Sequence, residues 1–169
     1  AEVRSMPISF LVCPSYPGWS RVESDKIALT TYAGCHHDVE APIDSENHGM
    51  LFLNSSLRFS DVLDGSSQTL LLGEFLPMRD SLGWVSGTRA TLRNTGTAMA
   101  AASQAFRDSE QNKAYPGPLV VGGFASSHPG GCLFALGDGS VHFLNESLDA
   151  KTYQRLGHRA DGELILESF

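Results

Sequence analysis

No run of eighteen or more apolar residues occurs in this chain of 169 residues, and no signal-peptide h-region. A membrane-spanning helix is therefore not written in it. Cysteine is scarce, and Cys13, Cys35 and Cys132 show no C-x-x-C spacing, which argues against a zinc ribbon or a thioredoxin-type redox site. Basic residues are outnumbered, 12 Lys and Arg against 19 Asp and Glu, for a formal charge of −7. Phosphate binding needs a basic face, so nucleic acid is not an expected partner. Only Arg79, Arg89 and Arg93 approach a cluster, without an aromatic ladder to stack bases. There is no G-x-S-x-G, H-E-x-x-H, P-loop or dinucleotide fingerprint, so the reading is non-enzymatic.

What is present describes one compact domain over residues 1–169. Hydrophobic residues make up 41% and charged residues 18%, a composition that can bury a core and is not that of a disordered chain. Seventeen glycines and eight prolines favour short strands joined by many turns. Strands are expected over Ile8–Val12, Ile27–Ala33, Thr69–Phe75, Trp84–Ser86, Thr88–Leu92 and Leu164–Leu166. Ser60 would cap a helical turn over Asp61–Leu63. Thr97 would cap a helix over Ala98–Arg107, and Ser147 one over Leu148–Leu156. The fold class is α+β, an antiparallel sheet with two short helices.

The most informative stretch is Phe124–Leu144, FASSHPGGCLFALGDGSVHFL. Asp138-Gly139 between apolar runs predicts a two-residue type I′ hairpin, with strands over Cys132–Leu136 and Val141–Leu144. Cys132, Phe134 and Leu136 alternate with Leu133 and Ala135, as one buried sheet face requires.

His128, Gly130, Asp138 and Gly139 also resemble the C-terminal H-x9-DG signature of a bacterial family of pseudopilin-like proteins, a domain of unknown function. Further blocks fit the same pattern in the same order: Leu11–Ser15 (LVCPS), Tyr32–Gly34, Asp61–Glu74 (DVLDGSSQTLLLGE), Gly83–Gly96 (GWVSGTRATLRNTG) and the tail Leu156–Glu163 (LGHRADGE). The resemblance implies a pilin- or pseudopilin-head-like fold. In that family a basic leader, a cleavage site and a long apolar helix anchor the protein in the inner membrane. This chain opens on AEVRSMPISF, close to the Cys-Pro-Ser block, so the anchoring helix is either removed or naturally lost. Membrane attachment would run only through that helix.

Three constellations carry candidate chemistry. His128, Asp138 and His142 suit a metal or an acid–base pair, but the simpler reading is structural, with Asp138 serving the turn and His128 holding its loop. Asp61, Asp64 and Glu74, with hydroxyls between, are a candidate calcium site, which the calcium-binding heads of pseudopilins favour by analogy. If Glu74 is buried, Arg89 or Arg93 would be its partner. His36, His37, Asp38 and His48 form a candidate transition-metal set within a polar loop. No cofactor is otherwise indicated.

A Cys13–Cys35 bridge would close a loop of about twenty residues, contribute roughly 3 kcal/mol and fit an envelope location. The alternative is three reduced cysteines. Trp84 is expected in the core, whereas Tyr16 and Trp19 are the candidates for an exposed sugar-stacking shelf. The functional expectation is a structural or interaction protein of the cell envelope, periplasmic or extracellular. Its partners would be other pseudopilin-like subunits or envelope components. The rivals are a metal-dependent hydrolase and a small-ligand or glycan-binding module.

Overall fold

The computed structural model describes residues 3–18, 27–78, 81–111, 117, 119–163 and 165. They form one α+β domain around a five-stranded sheet of order β3-β1-β2-β4-β5. The strands are β1 Tyr32–His37, β2 Leu70–Glu74, β3 Leu92–Asn94, β4 Gly131–Leu136 and β5 Val141–Asn145. Two helices, α1 Met99–Glu110 and α2 Ala150–Gly157, accompany them. Among the described residues no helix is long and apolar enough to cross a membrane.

The sheet is mixed, not antiparallel throughout. β1–β2, β2–β4 and β4–β5 are antiparallel, but β3 lies parallel to β1. Side-chain alternation reports which face a residue occupies and says nothing of pairing direction, so the parallel edge had no sequence signal.

β4 keeps the predicted alternation. Cys132, Phe134 and Leu136 enter the main core with Ala33, Leu70, Phe75, Met99, Phe124 and Leu144. α2 closes that face with Tyr153 and Leu156, three residues apart on one helix side. Burying a residue such as Leu156 contributes about 1.5–3 kcal/mol. A smaller cluster of Val12, Cys13, Tyr16 and Leu29 lies apart from this core.

The opposite face of the hairpin is uncovered. Leu72 and Val141 flank Ala135 in register, and Phe143 lies across from Leu133. Val141 is 64% exposed and Phe143 46%, and β5 is a sheet edge. An apolar strip beside an unpaired strand edge invites further pairing.

Several boundaries differ from the sequence reading. The hairpin is where it was expected, but its loop has three residues, Gly137-Asp138-Gly139. Ala135 pairs with Val141, and the Leu136 carbonyl accepts the Gly139 N–H at 3.0 Å. Only Gly139 is left-handed, with φ 87°, so the type I′ turn gives way to a longer loop that needs one positive φ. Asp138 accepts from the Ser140 N–H at 2.9 Å and its hydroxyl at 2.7 Å. The loop's backbone also docks on the preceding block: the Gly137 and Asp138 N–H groups donate to the Thr69 and Ser66 carbonyls.

Ile8–Val12 holds a 3-10 turn, Ser9–Leu11, in place of a strand. β1 begins at Tyr32 and runs into the histidines. Trp84 sits in a turn, and only Leu92 of the expected Thr88–Leu92 strand is paired. The turn near Asp61 spans Phe59–Asp61, with the Asp61 carboxylate accepting the Arg58 N–H at 2.7 Å, so Ser60 is not its cap. α1 has Ala98 at its N-cap, because the Thr97 hydroxyl donates to Glu40 at 2.8 Å. α2 is capped by Asp149, which accepts the Thr152 N–H at 2.9 Å, while the Ser147 hydroxyl donates to Asn145. Leu164–Leu166 lies largely outside the described residues.

Candidate functional site

Residues from four of the sequence blocks meet at one end of β2. Cys13 is positioned by its own backbone N–H, which donates to the Thr31 hydroxyl at 2.7 Å, and by the Thr31 N–H donating to the Leu11 carbonyl at 2.9 Å. Glu74 ends β2 opposite Tyr32, and its side chain is only 2% exposed. One carboxylate oxygen, Oε2, accepts from the Ser126 hydroxyl at 2.8 Å and the Leu133 N–H at 2.9 Å. The other, Oε1, is buried and accepts no hydrogen bond of ordinary geometry. His128 Nε2 lies 3.4 Å from Oε1 and 3.5 Å from the Cys13 sulfur. Its loop is held by the His128 N–H donating to Ser126 at 3.1 Å, and the next turn needs Gly130 at φ 83°.

Burial pushes the Cys13 thiol up, and a hydrogen bond with Glu74 adds to the shift. A thiol so placed stays protonated near neutrality, the opposite of an activated nucleophile. Desolvation raises Tyr32 as well, with Cys13 and Glu74 reinforcing it.

A second cluster surrounds Asp38. The Asp38 Oδ1 atom lies 2.6 Å from His37 Nδ1 and 2.8 Å from His48 Nδ1. The His48 ring lies 4.3 Å from His37 and 4.4 Å from His158. His36 does not join them. Consecutive strand residues point to opposite faces, and the His36 ring bonds to the buried Asn47 at 3.0 Å. His158, remote in sequence, takes its place. The ligand atoms of His37, Asp38 and His48 lie within 4.8 Å of one another, a spacing that could hold a metal ion, and both Nδ1 atoms lie against the same Asp38 oxygen.

Burial lowers His36, where His37 and Arg93 oppose a proton and Asn47 and Glu40 favour one. Burial also lowers His37, which faces Asp38, His48 and Arg159, and His158, which faces Asp38, His48, Asp161 and Asp64. For Asp38, burial pushes the carboxyl up, but hydrogen bonds from His48, the backbone and His37 outweigh it and leave it low. Glu40 is lowered in the same way against its desolvation, by Asn94, the Val121 N–H, Thr97 and the Gly122 N–H.

Below about pH 6.5 the unfolded chain takes up protons at histidines that the folded chain keeps neutral. Stability is full above that pH and falls on acidification, with a second decline as Asp38 and Glu40 titrate below the ordinary carboxylate range. Melts from pH 7.5 to 5 should show a continuous fall in Tm, and a flat profile across that range would refute the assignment.

Other expected sets do not assemble. Asp64 accepts the Asp161 and Gly162 N–H groups at 2.7 and 2.8 Å, and Asp61 caps its own turn, while Glu74 lies with Cys13 and His128. The calcium set is thus divided. Glu74 is met by His128 instead of an arginine, and Arg93 stacks over the Phe75 ring at 4.3 Å. His128 and Asp138 flank the two ends of the six-residue β4, which separates them by about 20 Å. His142 bonds to Ser140 at 3.2 Å.

Cys13, Cys35 and Cys132 are free and buried. Cys13 belongs to the smaller cluster and Cys35 to the main core, so the anticipated bridge is not formed. Burial pushes Cys35 and Cys132 up to about 12. Tyr16 is buried at 3%, which removes it from any exposed shelf. Trp84 is half-buried, its indole N–H donating to the Met6 carbonyl at 3.0 Å. Trp19 and Arg79 lie outside the described residues.

These observations define a single α+β domain in which Cys13, Tyr32, Glu74 and His128 converge beneath the N-terminal segment. Over residues 1–151 the chain matches the family described as "Protein of unknown function (DUF1559)", and it belongs to that family. The tail block Leu156–Glu163 lies beyond the match. No curated protein and no solved structure shows a significant match.

Proposed function

We propose that this domain is a non-enzymatic structural or interaction subunit of the cell envelope, a pseudopilin-like head exposed to the periplasm or the outside. The observation that carries this reading is the uncovered apolar strip of Leu72, Leu133, Ala135, Val141 and Phe143 beside the β5 edge. A lone globular protein gains nothing from keeping such a strip in water, whereas a subunit that packs against its neighbours buries it. The expected neighbours are further subunits of the same kind. The protonated Cys13 thiol also fits a structural role better than a nucleophilic one.

The test is chemical cross-linking of envelope fractions from the native host, comparing the wild type with a V141E/F143E variant of unchanged Tm. A ladder of multimers that disappears in the variant supports assembly through this face. A monomer recovered in the soluble fraction, with the variant indistinguishable from it, refutes the reading.

A small-ligand role has one observation in its favour. A groove of about 510 Å³ runs between α1 and residues 119–123, bordered by Leu82, Ala102, Phe106 and Val121. Its apolar walls suit an apolar ligand better than a glycan.

A further inference from the structure

We propose that Cys13, Glu74 and His128 form a buried binding site for a transition-metal dication of the zinc class, held by the Cys13 sulfur, Glu74 Oε1 and His128 Nε2. The inference is independent of the assembly reading. Zinc bonds of about 2.3 Å to sulfur and about 2.0–2.1 Å to nitrogen and oxygen, at the tetrahedral angle, place sulfur and nitrogen about 3.6 Å apart and nitrogen and oxygen about 3.3 Å apart. The corresponding separations here are 3.5 Å for Cys13–His128 and 3.4 Å for His128–Glu74. All three ligand atoms lie within 4.8 Å of one another.

A second, independent observation points into the same place. Glu74 Oε1 is a buried acceptor without a hydrogen bond of ordinary geometry on a residue only 2% exposed, while its sister oxygen is fully engaged by Ser126 and Leu133. The contact that Oε1 has with the His128 nitrogen is long, at 3.4 Å, and a cation coordinated between them would meet this desolvated oxygen more closely. Beside it is a void of about 10 Å³ bordered by Cys13, Tyr16, Glu74, Phe75, Ser126 and Ser127. That is room for about one water-sized sphere, enough for a fourth ligand.

Charge and chemistry agree with the geometry. A dication with one thiolate, one carboxylate and one neutral imidazole is a neutral centre, which is the kind of ion group that burial tolerates. Binding would release the Cys13 thiol proton to solvent and replace the contacts among the three side chains with bonds to the ion, while the Ser126 and Leu133 bonds to Oε2 stay in place. A sulfur, nitrogen and oxygen donor set suits zinc and is ill matched to calcium or magnesium, which take oxygen ligands. The three ligands come from the N-terminal segment, the end of β2 and the loop before β4, so the ion would tie together segments far apart in sequence.

The probe is cobalt(II), followed by zinc, titrated into chelator-treated full-length chain. The expected result is a thiolate-to-cobalt charge-transfer band saturating at one equivalent, displaced by zinc, with a rise in Tm. The band should be lost in C13S and in H128Q and kept in H48A, whose imidazole belongs to the Asp38 cluster. Loss of the band in C13S with its retention in C35S is the discriminating readout, because the Cys35 sulfur, which donates to the His37 carbonyl at 3.9 Å, is the thiol nearest the Asp38 cluster. C13S and H128Q leave the Glu74 bonds to Ser126 and Leu133 in place, so either variant suffices should the other fail to fold. A wild type that shows no such band, or metal uptake that survives C13S and is lost in H48A, overturns the proposal.

Discussion

Replacing Glu74 by alanine should destabilise the fold by about 3–5 kcal/mol. The half-buried Leu133 and Ser126 both donate to Oε2, the first from its N–H and the second from its hydroxyl, and the carboxylate they reach is buried. Each such donor left unpaired costs about 1–3 kcal/mol, and the side chain's own volume becomes a void. At this chain length each kcal/mol shifts Tm by about 2–4 °C, so a fall on the order of 10 °C is expected. Glu74→Gln keeps an acceptor oxygen for those donors and should cost about 1–2 kcal/mol. Glu163 provides the contrast: its 2.6 Å pair with Arg155 is short but the glutamate side chain is 59% exposed, and its removal should cost under about 1 kcal/mol. Denaturant unfolding in the presence of chelator isolates these terms from any bound ion. If E74A matched E163A in stability, the buried carboxylate would not be the tie between β2 and β4 that the geometry makes it.

The fold was legible where a local rule sufficed. Alternation along Cys132–Leu136 placed that strand's faces, and the Asp-Gly pair located the hairpin. Thr69–Phe75 was recognisable as a core strand by its apolar run. The same local rules misplaced Ile8–Val12, because an apolar run before a proline reads alike as a strand or a packed 3-10 turn. They misassigned all three helical caps, since Ser60, Thr97 and Ser147 each had a competing partner or lay one or two residues from the true boundary. Thr97 is the clearest case, its hydroxyl being drawn to Glu40, a residue 57 positions away.

The site was legible only in pieces. Glu74 and His128 drew attention one at a time, and Cys13 was read for a disulfide with Cys35. Nothing in spacing joined the three, because they are brought together by β2–β4 pairing and by the N-terminal segment folding over Tyr32. The blocks that carry the family resemblance held the signal: Cys13, Tyr32, Glu74 and His128 each come from a different one. In the histidine cluster, strand alternation alone would have excluded His36 once β1 was extended to His37. His158 was beyond reach, since His48, whose ring it meets, lies 110 residues earlier in the chain.

The second large effect is expected at the centre of the main core. The Phe134 ring meets Phe124 at 5.1 Å and Tyr153 at 6.0 Å, both edge-on. Gly73 lies opposite it in register, and a Cβ there would fall 2.5 Å from the Phe134 ring and 2.7 Å from Phe124. The glycine is thus the floor on which the ring rests. Phe134→Ala should cost about 3–5 kcal/mol through lost burial and the cavity it leaves. Gly73→Ala in the wild-type background should cost about 1–3 kcal/mol by overpacking. Combined, the new methyl enters space the ring has vacated, so the double variant should be more stable than the sum of the single changes predicts. A coupling of about 0.5–3 kcal/mol is expected for groups in such contact. Urea denaturation of the four members of the cycle measures it. Strict additivity would mean that the strand shifts to relieve the methyl, and that β2 and β4 are not held in the register that brings Glu74 to Leu133.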